Sequence, residues 1–142
     1  MATVELRFSA LPEHVRTARL VAAAVARRAG VDEAVLDEVR LAVGEACTRA
    51  VGLHLSNGVE APVRVTLTEE EKKFSIEVGD ESPTSAALAS GSHPEMGDEA
   101  EGEDEMGLAV ISGLVDDVEV TSSESGGVIR MSWPTSLQPL VS

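Results

Sequence analysis

Between Leu11 and Leu53 the chain carries two successive apolar stripes at helical spacing, and no other feature limits its possible folds as strongly. Leu11, Val15, Ala18, Ala22, Val25 and Ala29 recur at steps of three and four, the spacing that puts side chains on one face of a helix. Pro12 fits the first turn and Gly30 the stop. Leu36, Val39, Val43, Ala46, Ala50 and Leu53 repeat the pattern, with Asp32 placed to cap a second helix that reaches about His54. Two neighbouring helices with one apolar face each must bury those faces against a common layer.

The rest of the chain supplies that layer. Residues 3–8, "TVELRF", alternate as a strand. "SNGVEAP" at 56–62 is a turn, and "VRVTLT" (63–68) with "KFSIEVG" (73–79) reads as a hairpin. After a helix from Gly107 to Val115, "DVEVTSS" (117–123) and "GGVIRMSW" (126–133) form a second hairpin. Hairpins and runs of helices, without strict β-α alternation, predict an α+β two-layer sandwich, a mostly antiparallel sheet covered by helices on one face. Length predicts a single domain over residues 1–142. With no Tyr, and only Phe8, Phe74 and Trp133 as aromatics, its core is aliphatic and an aromatic platform for stacking bases is not expected.

Charge narrows the partners. The formal net charge of −14 argues against direct binding of nucleic acid or an anionic membrane, which needs clustered Lys and Arg. The longest apolar run, residues 20–26, is too short for a bilayer, and the first residues lack signal-peptide order, so a cytoplasmic location is expected. Cys47 is the single cysteine and reads as a small buried hydrophobe; His54 and His93 have no Cys/His constellation around them, so no metal site is expected. Residues 80–105 are Ser-, Gly- and acid-rich without a strong period, and the stretch from about 82 to 105 reads as a mobile acidic loop.

Five segments in order carry a resemblance: Ala18-Arg19 to Ala26, "VGEACTRAVGLH" (43–54), "IEVGDE" (76–81), "EMGLAVISGLVDDVEV" (105–120) and "GGVIRMSWP" (126–134). Together they resemble the GHKL (Bergerat-fold) ATPases, and within them the small anti-sigma factor serine kinases of bacterial partner-switching systems. In that family a helix carries E-x-x-x-N, whose Glu acts as base and whose Asn holds Mg²⁺. Glu45 matches the Glu, but Arg49 stands at the Asn position, and a guanidinium offers no lone pair to a cation. The family's D-x-G-x-G motif receives adenine through its Asp. Asp80 matches, while Ser82 and Thr84 replace the glycines. Gly107 matches the second glycine of the phosphate-holding G-x-G, and Glu105 replaces the first; Gly127 takes the Thr position of the late G-T pair. Seven carboxylates lie between Glu95 and Glu105, and no Lys or Arg occurs from Ser75 to Ile129, so this lid would repel a triphosphate.

The resemblance therefore implies a degenerate nucleotide pocket around Asp80, Gly107 and Arg49, with Glu45 at an inactive base position and tied to Arg49 at i,i+4. No cofactor is expected. The expected function is that of an anti-sigma-like regulator that sequesters an alternative sigma factor, with an anti-anti-sigma factor as a further partner and a homodimer as its form. Arg16 and Arg19, one turn apart, are the expected partner-binding residues, since four of the eleven cations lie in the first helix. Two other readings stay open. One is an active serine kinase using ATP and Mg²⁺; the other is a small-ligand sensor with a remodelled pocket.

Overall fold

The computed structural model describes residues 2–83, 110–115, 117–123 and 125–135. Strand β1 (Ala2–Phe8) leads into helix α1 (Pro12–Ala29), a single 3-10 turn (Glu33–Val35) and helix α2 (Leu36–Asn57). Strands β2 (Val63–Glu70) and β3 (Lys73–Asp80) form the first hairpin, and β4 (Asp117–Ser123) and β5 (Gly126–Pro134) the second. Residues 110–114 are helical. The strands make one five-stranded antiparallel sheet in the order β1-β2-β3-β5-β4. The α+β sandwich expected from the pattern is the observed one. Most of the acidic stretch 82–105, together with Thr84, Glu105 and Gly107, lies outside the described residues.

Alternation decides which sheet face is covered. Val63, Val65 and Leu67 on β2, Phe74, Ile76 and Val78 on β3, and Ile129, Met131 and Trp133 on β5 are buried on the helix side. The register sets Phe74 opposite Trp133, Ile76 opposite Met131 and Val78 opposite Ile129, so the apolar positions fall in cross-strand rows. Above them lie Val15, Ala18, Ala22 and Ala26 of α1 and Val39, Val43, Ala46 and Ala50 of α2. The many alanines let both helices sit close to the sheet, which is how a core nearly without aromatics closes. The opposite face is polar: Thr66, Glu77, Arg130 and Glu119 form one cross-strand row.

Helix ends follow their stop signals. Gly30 adopts φ 100° and Gly58 φ 65°, left-handed conformations that glycine enters without a Cβ penalty, and both return their amide to carbonyls of the last turn. Two boundaries differ from expectation. Asp32 caps the 3-10 turn, accepting from the Ala34 amide, and α2 starts only at Leu36. Helix α2 continues past His54 to Asn57 because Gly58 is the first residue able to end it. Its buried stripe also drifts: His54 is buried and Leu53 only partly so, since a helix of 3.6 residues per turn rotates away from a strict three-four pattern over five turns. Leu11, expected on the α1 stripe, precedes the helix and is 41% exposed.

Candidate functional site

The residues singled out in α2 and at the end of β3 meet at one corner of the sandwich. Asp80 closes β3 on the helix-facing side, in phase with Phe74, Ile76 and Val78, so its carboxylate points beneath α2 instead of into solvent. Arg49 leaves α2 from a position next to the buried Ala50 and turns toward the same corner. Arg49 Nη1 lies 3.8 Å from Asp80 Oδ2, with the side chains 7% and 2% exposed. That distance is an ion pair and not a direct hydrogen bond.

This is a correction to the pairing expected from sequence. The i,i+4 spacing favoured Glu45 as the partner of Arg49, but among the described residues the ion pair at Arg49 runs to Asp80. The reason is burial. An exposed helix pair gains only a few tenths of a kcal/mol, whereas a buried carboxylate without a cation costs several times that. Glu45 is half-buried on the neighbouring flank of α2.

The backbone after Asp80 is braced from three sides. Asp80 Oδ1 accepts from the Ser82 amide at 2.9 Å, which folds residues 80–82 into a tight turn, with Ser82 itself fully buried. His54 Nε2 accepts from the Glu81 amide at 2.9 Å. An Nε2 acceptor requires the proton on Nδ1, so Nδ1 donates to the Ala61 carbonyl, 3.0 Å away. The third brace is Gly126, whose bare Cα lets β5 pass against β3. A Cβ there would meet the Asp80 carbonyl oxygen at 1.9 Å, and its φ of 145° disfavours any side chain. Gly127 stands opposite Asp80 in the register.

Sequence reasoning picked out Asp80, Arg49 and Gly127 and missed the roles of His54 and Gly126. A buried histidine that bridges two backbone groups has no local signature. The Gly126-Gly127 pair at a strand start does carry one, since glycine at the mouth of a strand marks close backbone approach. Cys47 is buried in the same helix as Arg49, and burial pushes its thiol up to about 12, so it is protonated and unreactive at neutral pH.

On α1, Arg16 and Arg19 are exposed. They are not part of the Asp80 corner. The Arg19 stem lies over Gly44 of α2: a Cβ built at Gly44 would sit 3.0 Å from Arg19 Cδ. Among the described residues no group of His, Cys, Asp and Glu is arranged to hold a metal ion, and no helix is long and apolar enough to cross a membrane.

A five-stranded antiparallel sheet under two helices, with a buried Asp at the end of its third strand, defines an ATPase-like sandwich. The chain belongs to the histidine kinase-like ATPase domain family, whose model matches residues 8–133. It is similar to the serine-protein kinase RsbW of Oceanobacillus iheyensis, 29% identical over 134 residues that cover 91% of this chain and 84% of that protein. It is equally similar to the serine-protein kinase RsbW of Listeria monocytogenes, 29% identical over 137 residues covering 92% of this chain and 86% of that one. The fold also matches a crystal structure of the RsbU and RsbW domains of a Mycobacterium tuberculosis protein, with a TM-score of 0.68 at 14% identity. That match covers 95% of this chain and 32% of the larger one, so the chain spans about a third of its length.

Proposed function

We propose that this protein is an anti-sigma-like regulator: it binds and sequesters an alternative RNA polymerase sigma factor in the cytoplasm, and its family's nucleotide pocket is closed. The observation that carries the second half is the buried Arg49–Asp80 pair. The carboxylate that would accept the adenine amino group already faces a guanidinium. That guanidinium occupies the metal-ligand position of the resembled motif, where magnesium needs an oxygen. Arg49, Asp80 and Ser82 therefore do not fit Mg·ATP, and no phosphoryl-transfer step is derived through it.

The first half rests on the family, on the similarity to RsbW proteins and on the cationic face of α1. Arg16 and Arg19 offer an acidic partner a rare positive surface on a chain of net charge −14. An anti-anti-sigma factor would compete for the same face without being phosphorylated. The protein works as a homodimer, for which the outer edge of β1 offers unpaired backbone groups.

The test is reconstitution. The purified chain, mixed with an alternative sigma factor of its own cell, should form a stable complex and block sigma-dependent run-off transcription without ATP. Light scattering should give a dimer mass for the free chain. Labelled ATP and Mg²⁺ should leave a candidate anti-anti-sigma protein unphosphorylated. Stoichiometric serine phosphorylation would instead establish the active-kinase reading.

A further inference from the structure

We infer that Gly44 is a positioning residue, a bare step on α2 across which Arg19 of α1 is laid so that its guanidinium is held for a partner. The inference rests on the reading of Arg19 as a partner contact, and adds the residue that orients it. A Cβ at Gly44 would come within 3.0 Å of Arg19 Cδ, 3.4 Å of Nε and 3.6 Å of Cγ. The Arg19 stem therefore lies over Gly44, in the space that a side chain there would need. Gly44 is helical and needs no left-handed backbone, since its φ is not among the positive ones. Glycine there is locally unfavourable relative to alanine, so its presence calls for a packing reason, and the Arg19 stem is the group that occupies the space.

A long arginine free to sample its rotamers loses entropy when a partner immobilises it. A stem laid over the bare Gly44 position has lost part of that freedom already. Any side chain at position 44 lifts Arg19 off α2. Because Arg19 is exposed, it can swing away cheaply, so the fold should survive and only the direction of the guanidinium should change. Gly52 provides a matched control. It lies two turns further along α2, is exposed, and nothing stands within 4 Å of a Cβ built on it.

The experiment compares Gly44→Ala with Gly52→Ala. Both should raise the melting temperature by roughly 2–5 °C, the usual gain from replacing a helical glycine. Calorimetric titration with the sigma factor that the wild-type chain binds should show Gly52→Ala unchanged and Gly44→Ala weaker by about tenfold, a typical coupling for residues in contact. In an Arg19→Ala background, Gly44→Ala should cause no further loss. On the free protein, the Arg19 Nε–Hε NMR signal should lose order in Gly44→Ala and keep it in Gly52→Ala. Equal affinity of Gly44→Ala and wild type, or a further loss in the Arg19→Ala background, would overturn the inference. If the wild-type chain bound no sigma factor at all, the proposed function would fall; the NMR comparison would still decide whether Gly44 orders Arg19, and an unaltered signal would overturn it.

Discussion

Arg49 and Asp80, thirty-one positions apart, face each other across the gap between α2 and the end of β3, 3.8 Å between Nη1 and Oδ2, with both side chains almost wholly buried. The pair joins two positions that would serve different parts of a nucleotide in the resembled motif, and it makes each the other's counter-ion. Removing one member should take this counter-ion from the other in a region of low dielectric. Arg49→Met is expected to destabilise the fold by about 3 kcal/mol. Urea denaturation measures it, and a loss below about 1 kcal/mol would mean that water reaches the Asp80 carboxylate after all.

Gly126 tests the tightness of the same corner. Gly126→Ala places a methyl group 1.9 Å from the Asp80 carbonyl oxygen on a backbone at φ 145°. Both the contact and the backbone conformation must change, so a loss on the order of 4 kcal/mol is expected, enough to unfold a marginal domain. Circular dichroism melts decide this directly.

His54 holds the Glu81 amide and the Ala61 carbonyl with its two ring nitrogens. His54→Leu keeps the bulk but takes this partner from two part-buried backbone groups, which should cost about 1–2 kcal/mol. Hydrogen exchange should show the Glu81 amide losing protection in this variant. A Glu81 amide as protected as in the wild type would assign the bracing to Gly126 and the Asp80 turn alone.

Cys47 gives a pH dependence whose sign follows from its burial. Its thiol is pushed from 9.0 up to about 12 in the folded protein. The unfolded chain releases this proton first, so the group's full contribution is present below pH 9 and is lost as pH rises toward 12. The slope over that interval should remove roughly 4 kcal/mol, and Cys47→Ala should lack it. Parallel denaturation series at pH 8, 9 and 10 on both proteins would reveal the difference; identical slopes would place solvent at the thiol.

Much of the fold was legible because periodicity reports burial. Both stripes, both hairpins and the stop at Gly30 come from spacing and from glycine's conformational freedom, which act locally. The direction of Arg49 was not legible. The i,i+4 rule describes an exposed helix face, and whether Arg49 is exposed depends on where β3 ends in three dimensions. The same holds for His54: a rotation of one residue in the α2 stripe exchanged it for Leu53. Arg19 could be named from sequence as an exposed cation, but not the contact with Gly44, which exists only because α1 packs beside α2.

The central claim is that the Arg49–Asp80 corner no longer admits a nucleotide, and the most direct measurement is the melting temperature of the wild-type chain with and without 1 mM-scale ATP or ADP, each with and without Mg²⁺. A ligand present at a hundred times its dissociation constant stabilises the native state by about 2.7 kcal/mol, which moves the midpoint by several degrees in a domain of this size. The expected result is no rise under any of the four conditions. A reproducible Mg·ATP-dependent rise of several degrees would contradict the account, because it would mean that the nucleotide binds the native fold despite Arg49 at the metal position and the occupied Asp80 carboxylate.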